Sequence, residues 1–303
     1  MLLLVAFCYI ECSLLCSLRK LKEFRPLLFS LIPVFSWLAQ GEVATTRGKV
    51  RMAMERNKTF DPSGIREIAV RLAWAQAEVF ADDVDRLQLL VSGDDNSVTD
   101  LKIEERDGRL LVEQPQYGIS LNLVDSHWMQ LCVRIPRSFQ GALSISTTTG
   151  LISLHTMRAK SVQMETVTGD MRAVRVEADE LVFRAIGGDI NASELRADAL
   201  SVWSVNADVS LKNAVADAVK CTTVAGKQLI ELDAPFQRLN LTSVSGDIQI
   251  AAPVQTARVQ LRAVAGEVKM DGVAHSEDES APIVKVNNAM AGIRLIYREP
   301  ENG

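Results

Sequence analysis

The sequence predicts an all-β solenoid whose coils are about 19–20 residues long. Three observations carry that expectation. A small residue recurs at a near-fixed interval: Gly150, Gly169, Gly188, Ala207, Gly226, Gly246, Gly266 and Gly292 lie 19, 19, 19, 19, 20, 20 and 26 residues apart. Around these marks apolar residues alternate with period two, the mark of a strand with one buried face. The apolar positions are rich in Val, Ile and Leu, and they do not recur at the i, i+3, i+4 spacing of a helix.

Residues 1–41 differ from the rest. Met1 to Leu18 is apolar apart from Glu11 and a few Ser and Cys; Arg19, Lys20, Lys22 and Arg25 follow, then a second apolar run from Leu27 to Ala39. Three readings stay open. In the first, the basic cluster precedes the apolar core of a signal or anchor, with small residues near Ala39-Gln40-Gly41 as a cleavage site. In the second, both runs enter the membrane around a cytoplasmic basic loop, although the second is short and Pro33 interrupts it. Either places the solenoid outside the cytoplasm. In the third, translation starts at Met52 or Met54 and the protein is cytoplasmic. Cys8, Cys12 and Cys16 share one helix face as apolar residues, and Leu15 is too bulky for the position before a lipidated Cys16.

A linker is expected over residues 42–56 and strands over 57–142. Candidate strands are Glu67–Leu72, Ala77–Phe80, Leu87–Ser92, Leu101–Arg106, Arg109–Glu113, Ile119–Leu123 and Gln130–Ile135. Asp107-Gly108 is a hairpin signal because both residues tolerate positive φ. Gly93-Asp94-Asp95-Asn96-Ser97 is a further turn, and Pro136 ends the last strand. These less regular units read as the entry coils and cap of the solenoid, which hide strand edges that would otherwise associate; a separately folding β-sandwich over residues 57–140 is the other reading.

Regular coils are expected over residues 143–297. Seven positions before each small residue stand Leu143, Val162, Leu181, Leu200, Val219, Leu239 and Val259; five before stand Ile145, Met164, Phe183, Val202, Cys221, Leu241 and Leu261. Two before stand Val167, Ile186, Val205, Val224, Val244 and Val264, and two after stand Ile152, Met171, Ile190, Val209, Ile248 and Val268. All four columns are assigned to the core, and Leu229 is expected to fill the last column in the unit at Gly226. Each unit reads as strand, tight turn, strand, with glycine supplying positive φ at the turn. So small a unit buries its apolar face only against the next coil, about 4.8 Å away. His275 to Pro282 forms a charged loop that explains the long last interval, and residues 298–303 form a polar tail.

The phrases Thr168-Gly169-Asp170-Met171, Gly187-Gly188-Asp189-Ile190 and Ser245-Gly246-Asp247-Ile248 resemble the bacterial putative-adhesin family. Lys58-Thr59-Phe60-Asp61 and Gly64-Ile65-Arg66-Glu67-Ile68 are similar to the start of those domains. The resemblance spans roughly residues 57 to 297. It implies the right-handed β-solenoid sometimes called a toast-rack, an association with the cell envelope, and nothing about chemistry.

No catalytic, cofactor-binding or metal-ligating residue is expected. Asp170, Asp189, Asp208, Asp247 and Glu267 share the place after the turn, with Lys227 among them, so stacked coils would form a ladder of like charges. A calcium edge is one reading of that column; solvated turn carboxylates, favoured by Lys227 and by one carboxylate per coil, is the other. His127, His155 and His275 are far apart, and neither a nucleophile–base motif nor a phosphate loop occurs. Cys132 and Cys221 read as small buried hydrophobes. Net charge is −5, with 33 basic and 38 acidic residues, and no basic cluster in the repeats suggests nucleic acid. Arg184 is expected over Trp203 on the adjacent coil in a cation–π contact. The sequence therefore predicts a non-enzymatic, adhesin-like binding or structural module at the cell envelope, presenting a rigid surface to a protein or cell-surface partner. The alternative is a cytoplasmic regulatory or scaffold solenoid starting near Met52, which self-associates through coil edges.

Overall fold

Period-two alternation builds one extended sheet that winds on itself. The computed structural model describes residues 54–115 and 128–299. The apolar segment 1–41, most of the expected linker, the candidate strand Ile119–Leu123, His127 and the end of the tail lie outside the described residues. In order come β1 (Met54–Phe60), β2 (Glu67–Trp74), β3 (Gln76–Asp82), β4 (Leu87–Gly93), the short helix α1 (Asp95–Thr99), β5 (Lys102–Arg106), β6 (Arg109–Glu113), β7 (Met129–Pro136) and β8 (Ala142–Thr149). Four long strands follow, β9 (Ile152–Thr168), β10 (Met171–Gly187), β11 (Ile190–Asn206) and β12 (Val209–Ala225). The chain then forms β13 (Gln228–Leu232), β14 (Arg238–Ser245), β15 (Ile248–Ala252), β16 (Thr256–Ala263), β17 (Val268–Asp271), β18 (Ala274–His275), β19 (Ile283–Asn288) and β20 (Ile293–Tyr297). The expected all-β solenoid is therefore found.

Each of β9 to β12 is most of one coil, paired in parallel with the coils before and after it. Leu181 stands opposite Val162 and Leu200, and Phe183 opposite Met164 and Val202. These columns, with Ile152, Met171, Ile190, Val209 and Ile248, are buried and form one continuous core. Burying each such side chain is worth about 1.5–3 kcal/mol, which a lone coil could not collect.

The turns stack so closely that glycine is required for a second reason. A Cβ on Gly169 would lie 2.0 Å from the carbonyl oxygen of Gly150, although Gly169 has no positive φ. A corner that the glycine pattern does not reveal lies six residues after the turn. Thr156, Arg175, Glu194 and Asn213 adopt φ of 47°, 56°, 54° and 51° there. The left-handed conformation costs a residue with a Cβ about 1–2 kcal/mol, and only Asn213 is a residue type that tolerates it well.

Four expectations need correction. The column Val167, Ile186, Val205, Val224, Val244 and Val264 is not in the core: all but half-exposed Val205 are exposed, Val264 at 89 %. The arithmetic of the strand explains it. Positions seven and five before the turn face inward, so position three does too, and position two must face out. The inward places are taken by Thr147, Thr166, Ala185, Ser204, Thr223, Ser243 and Asn288. In the unit at Gly226, Gln228 rather than Leu229 enters the core, fully buried, and donates from Nε2 to Thr223 Oγ1 (2.8 Å) and the Thr242 carbonyl (3.0 Å). The eighth turn residue is Ala291, not Gly292: Ile293 pairs with Ile248, and the carbonyl of Ala291 packs on Gly266.

Finally, coils do not stack in sequence order at the C-terminal end. Strand β19 pairs with both β14 and β16, and β20 with both β15 and β17. The chain leaves a one-coil gap after β15, builds β16 and β17 beyond it, and returns to fill the gap. The expected loop at His275 to Pro282 is the return path.

At the other end β2 and β3 continue the coils, pairing in parallel with β8 and β9. Beyond them β5 and β6 form the hairpin expected at Asp107-Gly108 (φ 53° and 79°). Strands β1, β4 and β7 pair antiparallel. The expected turn at 93–97 becomes the start of α1, because Asp94 caps it, its Oδ1 accepting from Ser97 N–H at 3.0 Å. Outer strands β1 and β5 carry Glu55, Arg56, Lys58, Lys102, Glu104, Glu105 and Arg106, charges that discourage further strand pairing.

Candidate binding face

The outward side chains that precede each turn make a flat lateral face. In the column two residues before the turn, Val167 (39 % exposed), Ile186 (48 %), Val205, Val224 (46 %), Val244 (42 %), Ala289 and Val264 follow one another coil by coil. Seven rungs at strand spacing give an apolar ladder roughly 29 Å long. Isolated exposed apolar residues are ordinary, but a contiguous row is the usual sign of an interaction surface. The column four before the turn borders it with Ser146, Glu165, Arg184, Trp203, Thr222, Thr242 and Asn287, of which Trp203 is 44 % exposed.

Arg184 does not cover Trp203. Its Nη1 donates to Glu165 Oε1 at 2.6 Å, toward the preceding coil, while Gln163 Nε2 reaches the same carboxylate at 2.8 Å. Burial pushes the Glu165 carboxyl up, but the hydrogen bonds from Arg184 and Gln163, with the Arg184 charge, hold it below its ordinary value. The carboxylate is therefore a better partner for arginine than the indole face, and Trp203 is left open. The cation–π contact found among the described residues is elsewhere, Arg134 over Phe80 at 5.7 Å. Toward the N-terminal coils the face dips into a groove of about 680 Å³ bounded by Arg71, Glu113, Gln114, Val167, Ile186 and Trp203. Gln114 anchors its wall, its Oε1 accepting from the backbone N–H of Ala73 (2.9 Å) and Trp74 (3.1 Å).

The acidic turn column has a structural task. Asp170 Oδ1 accepts from Asp189 N–H (2.9 Å), Asp189 Oδ1 from Asp208 N–H (3.1 Å), and Asp208 Oδ1 from Lys227 N–H (2.8 Å). Asp247 Oδ1 accepts from Gly292 N–H at 3.0 Å. Each carboxylate ties its turn to the next coil in space, which offsets the repulsion along the ladder. Among the described residues no group of three His, Cys, Asp or Glu is placed to hold a metal ion. His155 lies on β9, and His275 Nδ1 accepts from Val259 N–H at 3.2 Å. Burial pushes the thiols of Cys132 and Cys221 up, so neither has the thiolate character of a nucleophile. Among the described residues no helix is long and apolar enough to cross a membrane.

The ladder is visible in the sequence as a column of apolar residues, but apolar character alone does not show that it faces outward. The signal that would have found it is the set of small hydroxyl residues three before the turn, which belong inside.

A family model described as Toastrack DUF4097 matches residues 65–295. Among solved structures the chain is similar to a "putative lipid binding protein" from Parabacteroides distasonis, with 16 % identity and a TM-score of 0.51 over 81 % of this chain and 97 % of that one. It is also similar to a "putative adhesin" from the same organism, with 12 % identity and a TM-score of 0.50 over 81 % and 97 %. At such identities the likeness is one of fold. No curated protein matches the chain.

Proposed function

Because the chain belongs to the Toastrack DUF4097 family, matching its model over residues 65–295, we propose that it is a non-enzymatic, adhesin-like binding module whose working surface is the apolar ladder. The observation that carries this reading is the row from Val167 to Val264, exposed on coil after coil beside an uncovered Trp203. A stacked sheet holds such a row rigid, so a partner docks without ordering it, which lowers the entropic cost of association. Trp203 is the residue type that most often dominates such contacts. The ion pair of Arg184 and Glu165 and the hydroxyls of Thr222 and Thr242 supply a polar rim. The partner is a protein or cell-surface component with an extended apolar strip. In this reading residues 1–41 hold or export the chain at the cell envelope and residues 143–297 display the face. The names borne by structures of similar fold, adhesin and lipid-binding protein, agree with a binding role.

The test is site-specific photo-crosslinking in cells producing the full chain. A photoreactive residue at Trp203, Ile186 or Val224 is expected to capture the same partner, and one at Arg175, at the exposed corner of a coil, is not. Equal capture at all four positions, or none at the first three, overturns the reading. Fractionating the same cells tests the envelope: recovery in the soluble cytoplasm would favour the scaffold alternative.

A further inference from the structure

The two ends of the coil stack are finished differently. At the N-terminal end the outermost strands are short, antiparallel and charged. At the C-terminal end the outermost coil, β16 and β17, is parallel like the interior, and its inward column is open. Val268 and Met270 are 43 % and 41 % exposed, whereas Ile293 and Leu295, which fill the same places one coil in, are buried. Backbone groups are open there as well. Arg258 and Val264 donate toward β19 at 2.8 and 3.1 Å, so the alternation turns Leu261 and Ala263 to the free side. On β17, Glu267 accepts from Ile293 N–H at 2.9 Å, which turns Val268 and Met270 outward. The return path covers part of this edge: β18 pairs with Thr256 and Ala257, and the His275 imidazole takes Val259 N–H. Past Val259 no described strand partners the edge.

We propose that this end pairs with the same end of a second copy of the chain, across a two-fold axis through the corner at Val264–Gly266. Charge identifies the occupant. Strand β16 carries Arg258 and Arg262 and no acid, while Glu267 and Asp271 flank Lys269 on the other arm of the corner. An axis bisecting the corner exchanges the arms, so the basic arm of one copy meets the acidic arm of the other, antiparallel. One register places Leu261 opposite Val268 and Arg262 opposite Glu267 of the second copy. Both copies make the same contacts, as an isologous interface requires. Head-to-tail stacking is disfavoured because the far end offers charged edges, so the pairing closes at two instead of growing into a fibre.

Light scattering on the full chain in a mild non-denaturing detergent, from about 1 to about 100 µM, reads the mass directly as mass action shifts the equilibrium. The expected result is a species of twice the chain mass. Arg262→Glu sets Glu against Glu at both contacts, and Glu267→Arg sets Arg against Arg; each is expected to weaken pairing by at least about tenfold. Mixing the two variants restores opposite charges at both contacts and is expected to restore the pair. Both positions lie on the surface of the end coil, and a cooperative thermal transition at the lowest concentration, where the chain is single, checks that the variants fold. A chain that stays single at the highest concentration overturns the proposal. So does association indifferent to both reversals, as pairing through residues 1–41 would be, or continued growth past two copies.

Discussion

Two neighbouring glycines in one turn give the sharpest test of how the coils stack. Gly188 has φ of 92°, and a Cβ placed on it would lie 2.3 Å from the Gly169 carbonyl oxygen and 2.5 Å from its carbon. An ordinary carbon–oxygen contact needs about 3.3 Å or more, so Gly188→Ala must lift one turn off the next by roughly 1 Å. Near that point the coils are joined by Gly169 N–H to the Gly187 carbonyl (3.3 Å), Met171 N–H to the Asp189 carbonyl (2.9 Å) and Asp189 N–H to Asp170 Oδ1 (2.9 Å). Losing two of these at about 1 kcal/mol each, plus about 1–2 kcal/mol for a Cβ at positive φ, gives a cost of roughly 3–4 kcal/mol. Gly187 next to it is different. Its added Cβ would meet nothing nearer than 3.6 Å, the Val167 carbonyl oxygen, and its φ is not positive. Gly187→Ala is therefore expected to be neutral or to stabilise by up to about 1 kcal/mol, since alanine loses less entropy in a strand. Urea unfolding of both variants is the assay, with Gly188→Ala lowering the midpoint by about 1 M or more at an ordinary m-value. If the two variants fall together, or neither moves, close approach between turns is not what demands glycine.

Other substitutions probe the remaining features. Thr156→Gly relieves a β-branched residue at φ 47° and is expected to stabilise by about 0.5–1 kcal/mol, the strain of the left-handed corner less the entropy of glycine; a loss in urea midpoint would contradict the account of that corner. Asp189→Ala removes the acceptor of Asp208 N–H and is expected to cost about 1 kcal/mol in the same assay, whereas Asp189→Asn keeps an oxygen there and should cost under half as much. The Glu165 carboxyl titrates below its ordinary value when folded, so its contribution is present at neutral pH and lost as the pH falls below about 4.3, the value in the unfolded chain. The stability gap between the protein and Glu165→Gln is therefore expected to be under about 1 kcal/mol at pH 7, as for other exposed pairs, and to shrink as acid protonates the folded carboxyl. Ending the chain after Pro282 deletes β19 and β20 and leaves β14 and β16 about two strand spacings apart; limited proteolysis should then cut within β16, residues 256–263, which the full chain holds paired to β19.

Much of the coil could be read from the residues because its period is repeated and its demands are local. A close-packed turn writes a small residue, Gly or Ala, at every coil, and columns as dry as Leu181 and Phe183 exclude polar residues. The hairpin at Asp107-Gly108 was legible for the same reason. The second corner was not, because Thr156, Arg175 and Glu194 are held there by their neighbours in the stack and not by their own preferences. The side of the face is harder to read because apolar character does not equal burial: Val167 and Ile186 look like core residues, and only counting by twos from Leu181 puts them outside. The crossed order at the C-terminal end has no local signature at all. Strand β19 would suit any gap lined by Leu239 and Val259, and which gap it fills depends on how long the chain between β18 and β19 is.

That crossed order fixes when the fold can be finished. In a solenoid wound strictly from one end, every new turn finds its neighbour already built. Here residues 256–271 are synthesised before the layer they rest on, and they stay without support until residues 283–297 have emerged and slid between. The C-terminal tip is a keystone arrangement: the late piece is the one that locks an earlier piece in place. A growing chain interrupted before residue 283 would hold the coils up to β15 and still lack a closed end.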